Sequence, residues 1–224
     1  MVERLSIKTG EDEQEITLST SREDIGALLI KVLGNLIPFG GAFAEVITAL
    51  IPHQKIDRVI RLVEKLNYKF EHEPRKINAE ELKTPEFRDL FEDGFIAATR
   101  ALSEDRLEFI ATLLTKSLTV EEIKHDEKKK LLGILNALTD SEVVWLKSFN
   151  LDYDEQDKFY ERHKEIFDFE PGVMGMSEME MSRETIATEY RRTLQNLNLI
   201  DDKRRLTRLG RFFLHFIGQI KDFD

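Results

Sequence analysis

Not one of the 224 residues is cysteine. That excludes disulfides, Cys-ligated zinc and a thiol nucleophile, and it fits a reducing compartment, so a cytoplasmic location is expected. Proline and glycine are scarce, five and eleven residues, which leaves little material for long linkers, and no low-complexity tract or internal repeat interrupts the chain. The opening "MVERLSIKTGEDEQ" lacks a basic segment followed by an apolar one, so no secretory signal is expected. Positive charge is in deficit, 33 Lys and Arg against 43 Asp and Glu, for a net charge of −10. That balance argues against indiscriminate binding to nucleic acid or anionic lipid, while leaving room for a local basic patch.

What the chain does have is helical periodicity. "RLSIK" and "EITLST" alternate apolar and polar positions around the turn-rich "TGEDEQ" and predict a small N-terminal β-hairpin. Ser21 and Asp24 form a capping-box pattern before a helix over about 22–36, with Ile25, Leu28, Leu29, Val32, Leu33 and Leu36 on one face. After the Pro38–Gly41 break, Phe43, Val46, Ile47 and Leu50 repeat the stripe. This apolar hairpin, 25–51, poses the membrane question directly. A bilayer-spanning helix needs about 20 apolar residues to cross about 30 Å. Each arm here has about a dozen residues, which at 1.5 Å per residue reach under 20 Å. Each arm also carries a polar or small face that includes a charge, Lys31 or Glu45. A packed soluble hairpin is therefore the expected reading, and reversible membrane insertion the alternative.

Further along, Ile56, Val59, Ile60, Val63, Leu66 and Phe70 mark an amphipathic helix over 54–70, with Lys55, Arg58, Arg61, Lys65 and Lys69 on the outside. Phe87, Leu90, Phe91, Phe95, Ala98 and Leu102 predict a helix over 85–102. Leu107, Ile110, Ala111, Leu114 and Leu118 predict another over 104–118, with Ser103 as its cap. The pattern changes near 127, which suggests a helical domain with its β-hairpin over 1–126 and a second module over 127–224. That module begins with the short helix "EKKKLLGILNAL" and continues with "TDSEVVWLKSF", whose Thr139 and Glu142 form a capping box. An acidic insert follows over 151–181, with enough aromatic residues to read as a partly packed arm. Ser177 and Glu180 then open a longer helix whose expected stripe is Ile186, Tyr190, Leu194 and Leu197. A short strand at Leu199–Ile200, a turn at Asp201–Asp202, a returning strand ending at Leu206–Thr207 and a final helix from Leu209 complete the module. The fold class is accordingly mainly α, ending in a winged-helix-like α+β module.

The chemistry search is short. Gly34, Gly40 and Gly41 do not have phosphate-loop spacing, and no Lys follows them. Ser177 in "GMSEM" lacks the second glycine of a nucleophile elbow and reads as a helix cap. The histidines at 53, 72, 125, 163 and 215 are scattered, without metal-ligand spacing. No catalytic residue, metal ligand or cofactor is expected. One patch stands out: residues 182–211 hold eight basic side chains against four acidic ones, a local charge of +4. Arg183, Arg191, Arg192, Lys203, Arg204 and Arg205 are the candidate nucleic-acid-binding residues, because a winged helix inserts its third helix in the major groove and touches phosphate with its wing. The competing reading is a wing kept for protein contacts, with its arginines paired to the acidic insert.

Four segments in order carry a family resemblance: "KIDRVIRLVEKL", then "LFEDGFIAATRALSEDRLEFIATLLTKSL", then "LLGILNALTDSEVVWLKSF", then "LQNLNLI" with "RRLTRLGRFFLHFI". Together they resemble the abortive-infection-alpha type of bacterial proteins. "RLEFIATLL" stands where those have a Trp/Tyr-Ala-x-Leu-Leu segment, with Phe109 in place of the aromatic. "LTDSEVVWL" stands where they have Leu-Ser-x-x-Glu-x-x-x-Leu, and "LTRLG" matches their Leu-Thr-x-Leu-Gly. The resemblance covers about residues 54–217 and leaves the first 53 outside. It implies a role in defence against phage, without enzymatic chemistry, acting through protein partners. DNA binding and membrane action through 25–51 are the alternatives.

Burying one Leu or Val side chain is worth roughly 1.5–3 kcal/mol. If the 25–51 hairpin docks in a soluble core, Leu29→Asp and Val46→Asp should lower the unfolding midpoint clearly, while Lys31→Ala should leave it nearly unchanged. Flotation of the native protein with liposomes, together with lipid-dependent protease protection of 25–51, would instead establish the membrane reading.

Overall fold

A computed structural model of the chain describes residues 4–9, 12–17, 56–72, 84–119, 123–167 and 178–220. The expected 25–51 hairpin, the Ser21 cap and the Ser177 cap lie outside the described residues. The protein is mainly helical. Strands β1 (Arg4–Thr9) and β2 (Asp12–Thr17) pair antiparallel, with Leu5 opposite Ile16 and Ile7 opposite Gln14. The chain divides into two compact units, 1–132 and 133–224. Among the described residues, no helix is long and apolar enough to cross a membrane.

In the first unit, α1 (Ile56–His72), α2 (Pro85–Arg100) and α3 (Glu104–Thr119) pack on one another. From α1, Val59, Ile60, Leu62, Val63 and Leu66 are buried. α2 starts where Thr84 Oγ1 accepts the Phe87 amide at 3.2 Å, with Pro85 in the first turn, where no intrahelical donor is needed. It contributes Phe87, Leu90, Phe91 and Phe95 to the core. At Gly94 an added Cβ would lie 2.8 Å from a Leu114 methyl, so the glycine permits the close approach of α2 and α3.

The expected stripe over 85–102 needs one correction. Leu102 is 90% exposed. The helix stops at Arg100, and Ala101 is already extended. Leu102 therefore belongs to the connection before the next cap, where the helical period no longer assigns it a face. Ser103 is that cap: its Oγ accepts the Arg106 amide at 3.0 Å.

α3 is buried on nearly every side, including Thr112, Thr115 and Ser117. Their hydroxyls donate to the carbonyls of Glu108, Ala111 and Leu113 one turn back, at 2.8, 2.9 and 2.8 Å. That local bonding removes the cost of burying them.

The cations outside the α1 stripe form a ladder onto α3. Arg61 meets Glu104 at 2.6 Å, Lys65 reaches Glu104 and Glu108, each at 3.5 Å, and Lys69 closes on Glu108. The partners advance in the same sense along both helices, so α1 and α3 run parallel. Arg58 adds a hydrogen bond of 2.9 Å to the Thr99 carbonyl near the end of α2. A second group joins α2 to α4 (His125–Ala137): Lys129 binds Asp89 at 2.6 Å and Asp93 at 2.9 Å, and His125 Nε2 lies 3.0 Å from Asp89. The unit boundary falls inside α4, after Leu132.

In the second unit, Thr139 and Glu142 form the expected capping box at the start of α5 (Asp140–Ser148). The Thr139 hydroxyl accepts the Glu142 amide at 3.2 Å, and the Glu142 carboxylate accepts the Thr139 amide at 2.7 Å. α6 (Tyr153–Arg162), α7 (Lys164–Phe167), α8 (Glu178–Asn196) and α9 (Arg208–Phe216) follow. On α8 the expected stripe holds at Leu194 and fails at Ile186. Ala187 and Leu194 are the buried positions, while Ile186 is 50% exposed. One residue is about 100° of helix, and the packed face is centred on 187 and 194.

The ladder has a pH signature. Hydrogen bonds from Arg61 hold Glu104 below the ordinary carboxylate range, and those from Lys129 do the same for Asp89. At Glu108 burial pushes upward, but bonds from Lys69 and Lys65 leave it lowered. A depressed carboxylate stabilises the fold fully above its unfolded pKa, about 4.3 for Glu, and the contribution is lost as pH falls through the folded value. Urea unfolding of the Glu104→Gln, Glu108→Gln double variant should therefore show a smaller stability loss below about pH 4 than the parent chain. Because both carboxylates remain close to half exposed, the difference should stay near or under about 1 kcal/mol each.

Candidate functional site

The basic patch is built around the end of α8 and the turn behind it. α8 ends with Asn198 at φ 57°, the Leu199 amide donating to the Leu194 carbonyl at 2.9 Å and the Asn198 amide to Gln195 at 2.8 Å. Asparagine tolerates this left-handed cap position better than most residues. An isolated bridge then pairs Ile200 with Leu206. Between them Asp201 organises the turn: its carboxylate accepts the Lys203 amide at 2.9 Å, the Arg205 amide at 2.8 Å and the Arg205 Nε at 2.8 Å. Hydrogen bonds from the Arg205 main chain, then from its guanidinium, hold the Asp201 carboxyl below its ordinary range. Arg204, at the outer corner, is held at φ 61°.

"LTRLG" closes the module by geometry. Thr207 caps α9 by accepting the Gly210 amide at 3.0 Å, and its own amide donates to the Leu199 carbonyl at 3.0 Å. The Thr207 hydroxyl lies 2.7 Å from the Asn198 carbonyl and 3.0 Å from that of Leu199. Any Cβ at Gly210 would come within 2.2 Å of the Leu199 oxygen. Behind this corner α9 buries Phe213, Leu214 and Phe216, with Ile217 following.

The six candidate residues separate into distinct environments. Arg205 is bidentate to Asp201, its Nη2 at 2.7 Å, and Arg192 pairs with Glu189 on its own helix at 3.5 Å. The pairs these two arginines make are thus local. Arg191 lies across the ring of the buried Trp145, with its guanidinium carbon 5.1 Å from the centroid. Burial, and then the proximity of Arg204, hold Arg191 below its ordinary range, with Glu184 opposing. Lys203 and Arg204 are exposed and form no ion pair among the described residues, and Arg183 is exposed on α8. The structure therefore lays Arg191 on Trp145, leaves Arg204 exposed, and gives Arg192 and Arg205 carboxylate partners.

Sequence reasoning missed the centre of the unit, Trp145. Its ring lies 4.9 Å from Phe167 and 6.3 Å from Phe149, and the cluster continues through Phe159, which is 4.5 Å from His163, and Tyr160, which is 4.8 Å from Phe167. The acidic insert is thus fastened to α5 by aromatic contacts. The available signal was that Trp145 is the chain's single Trp. A second unread residue is Lys147, half-buried between the Phe159 ring, 5.9 Å from its Nζ, and Gln219, to whose Oε1 it donates at 3.1 Å.

Among the described residues no group of three or more His, Asp or Glu is arranged to hold a metal ion. Compared with family models, curated proteins and solved structures, the chain matches none.

The Thr207 corner gives a direct stability test. Thr207→Ala removes a helix cap and should cost about 1 kcal/mol. Gly210→Ala drives a methyl into a backbone oxygen that cannot move without breaking the corner, and should cost about 1–3 kcal/mol. Denaturant titration of the full chain should rank Gly210→Ala at least as damaging as Thr207→Ala.

Proposed function

We propose that residues 127–224 form a winged-helix-like module and that the protein is a non-enzymatic, cytoplasmic interaction protein of the phage-defence type, acting through a protein partner. The order α4, α5, α8, bridged turn, α9 supports the winged-helix reading. The resemblance to the abortive-infection-alpha type supports the biological role.

One observation carries the choice of a protein partner. In this reading α8 is the third helix, and its N-terminal half exposes Met179 (66%), Met181 (50%) and Ile186 (50%) beside the carboxylates of Glu178 and Glu184. A helix that reads DNA presents donors to phosphates and base edges, so carboxylates and bare methionines there are unfavourable. The same surface suits an apolar groove with a basic rim, because exposed Met and Ile with an acidic border complement such a groove in polarity and charge. A short turn of 3–4 residues joins the two helices of a helix-turn-helix, whereas α6 and α7 stand between α5 and α8 here.

The exposed pair Lys203 and Arg204, with the Trp-stacked Arg191 within electrostatic reach of Arg204, supports duplex DNA as the second reading. The two separate cleanly. A photo-crosslinking residue at position 181 or 186, used in bacteria with and without phage, should give a discrete protein adduct. Ile186→Lys should abolish both the adduct and protection from phage. Protection unchanged by Ile186→Lys would refute the protein-partner reading. A salt-sensitive shift of duplex DNA at low ionic strength, weakened more by Lys203→Gln and Arg204→Gln than by Arg192→Gln, would establish the DNA reading in its place.

A further inference from the structure

Away from the basic patch, a cleft of about 700 Å³ opens in the second unit between α5, α6 and the residues after α9. Its size is that of a small-molecule site. Lys147 of α5 and Lys158 and Arg162 of α6 line it. These three cations differ from those held in ion pairs. Arg61, Lys65, Lys69, Lys129, Arg192 and Arg205 each have a carboxylate within 4.0 Å. Among the described residues, Lys147, Lys158 and Arg162 form no ion pair, although Asp154 and Glu155 line the same cleft. Three ammonium and guanidinium groups thus share one concave space without contact neutralisation.

We propose that this cleft binds a phosphate monoester, the phosphate resting among Lys147, Lys158 and Arg162. A monoester carries close to two negative charges near neutral pH and three strong acceptor oxygens, which suits three donors arriving from two helices. Lys158 and Arg162 are one turn apart on α6, so their side chains leave the helix on the same side. Lys147 faces them from α5 and is fixed by its bond to Gln219 and by the Phe159 ring. Burial first, and the nearby Arg162 second, hold the Lys147 ammonium below its ordinary range, with Glu155 opposing. An anion between Lys147 and Arg162 relieves that repulsion.

The remaining lining suits the body of the ester. Asp154 and Glu155 accept hydrogen bonds from hydroxyls, Asn150 supplies an amide, and Leu151 and Ile220 give an apolar wall. The same two carboxylates disfavour an extended polyanion such as duplex nucleic acid, which separates this site from the patch around Arg191 and Arg204. The inference does not depend on the choice of macromolecular partner.

Isothermal titration of the full chain with adenosine 5′-monophosphate, inorganic phosphate and adenosine tests it. The expected result is saturable binding of the monophosphate at millimolar concentration or below, weaker binding of inorganic phosphate and none of adenosine. The Lys158→Gln, Arg162→Gln double variant changes only exposed side chains, so its unfolding midpoint should stay at the parent value while its dissociation constant rises at least tenfold. Lys129→Gln, a cation outside the cleft, should leave the affinity unchanged. If inorganic phosphate binds as tightly as the monophosphate, the body contributes nothing and the monoester assignment is wrong. Absent binding of the monophosphate, equal binding of adenosine, retained affinity in the double variant, or an equal loss in Lys129→Gln would each overturn the proposal.

Discussion

The main-chain oxygen of Leu199 is the point on which the C-terminal half of the second unit is assembled. It accepts the Thr207 amide at 3.0 Å, lies 3.0 Å from the Thr207 hydroxyl, and sits where only a residue without Cβ can pass, at Gly210. Everything after it is placed by that contact. Thr207 cannot hold Leu199 unless the chain between them turns within a few residues, and Asp201 makes the turn by collecting three donors from Lys203 and Arg205. The turn in turn forces Arg204 to φ 61°, which costs roughly 1–2 kcal/mol for a residue with a side chain. Such strain persists where surrounding bonds over-determine it. An exposed cation of the basic patch is therefore presented by an uncharged backbone contact several residues away.

The first unit solves a different problem with the same economy. Its core is ordinary aliphatic and aromatic burial, which supplies the stability. The charged ladder between α1 and α3 adds little net energy, because its members are exposed or only partly buried and so remain screened by solvent. Its contribution is direction. With cations at 61, 65 and 69 and carboxylates at 104 and 108, a parallel pairing meets opposite charges at each step, and sliding α1 by one turn leaves an end charge unmatched. A helix as fully buried as α3 also has no water for its hydroxyls, and Thr115 and Ser117 bonding their own helix is the remaining solution.

How much of this the sequence discloses follows from the range of the forces involved. Local forces are legible. The capping box at Thr139, the Ser103 cap and the stripe of Val59, Ile60, Val63 and Leu66 are fixed by residues within a turn or two, and they stand where the pattern puts them. The errors occur where a distant neighbour decides. Leu102 continues the period of α2, but the chain must leave the helix at Arg100 to reach the Ser103 cap. Ile186 loses to Ala187 because the face that α8 buries is set by its packing on α5, not by its own apolar period. At the site, the cluster of arginines is visible as composition. Which of them carries a carboxylate partner is not, since Asp201 and Glu189 become partners only through the turn and the helix that align them. Trp145 and Lys147 are invisible as site residues for a different reason: their partners, Arg191 and Gln219, are more than forty residues away.

The pairing pattern also bears on what the second unit is suited to hold. Cations neutralised by neighbouring carboxylates, such as Arg192 and Arg205, must give up a partner before they can take a phosphate, so they add little to net affinity. Two groups that form no ion pair among the described residues differ in setting. Lys203 and Arg204 are exposed on the turn that Asp201 holds, where a macromolecule can reach them and where salt screens them. Lys147, Lys158 and Arg162 line a concavity that also holds two carboxylates, and a long polyanion entering there would meet them. The exposed apolar start of α8 belongs to neither group. Met179, Met181 and Ile186 are large side chains left in water beside acidic residues, and covering them gains transfer free energy that no phosphate contact supplies. Charge alone would rank the turn around Arg204 as the principal surface of this unit. Counting desolvation as well as charge moves that rank to the N-terminal half of α8, and this is the physical ground for preferring a protein partner to a duplex.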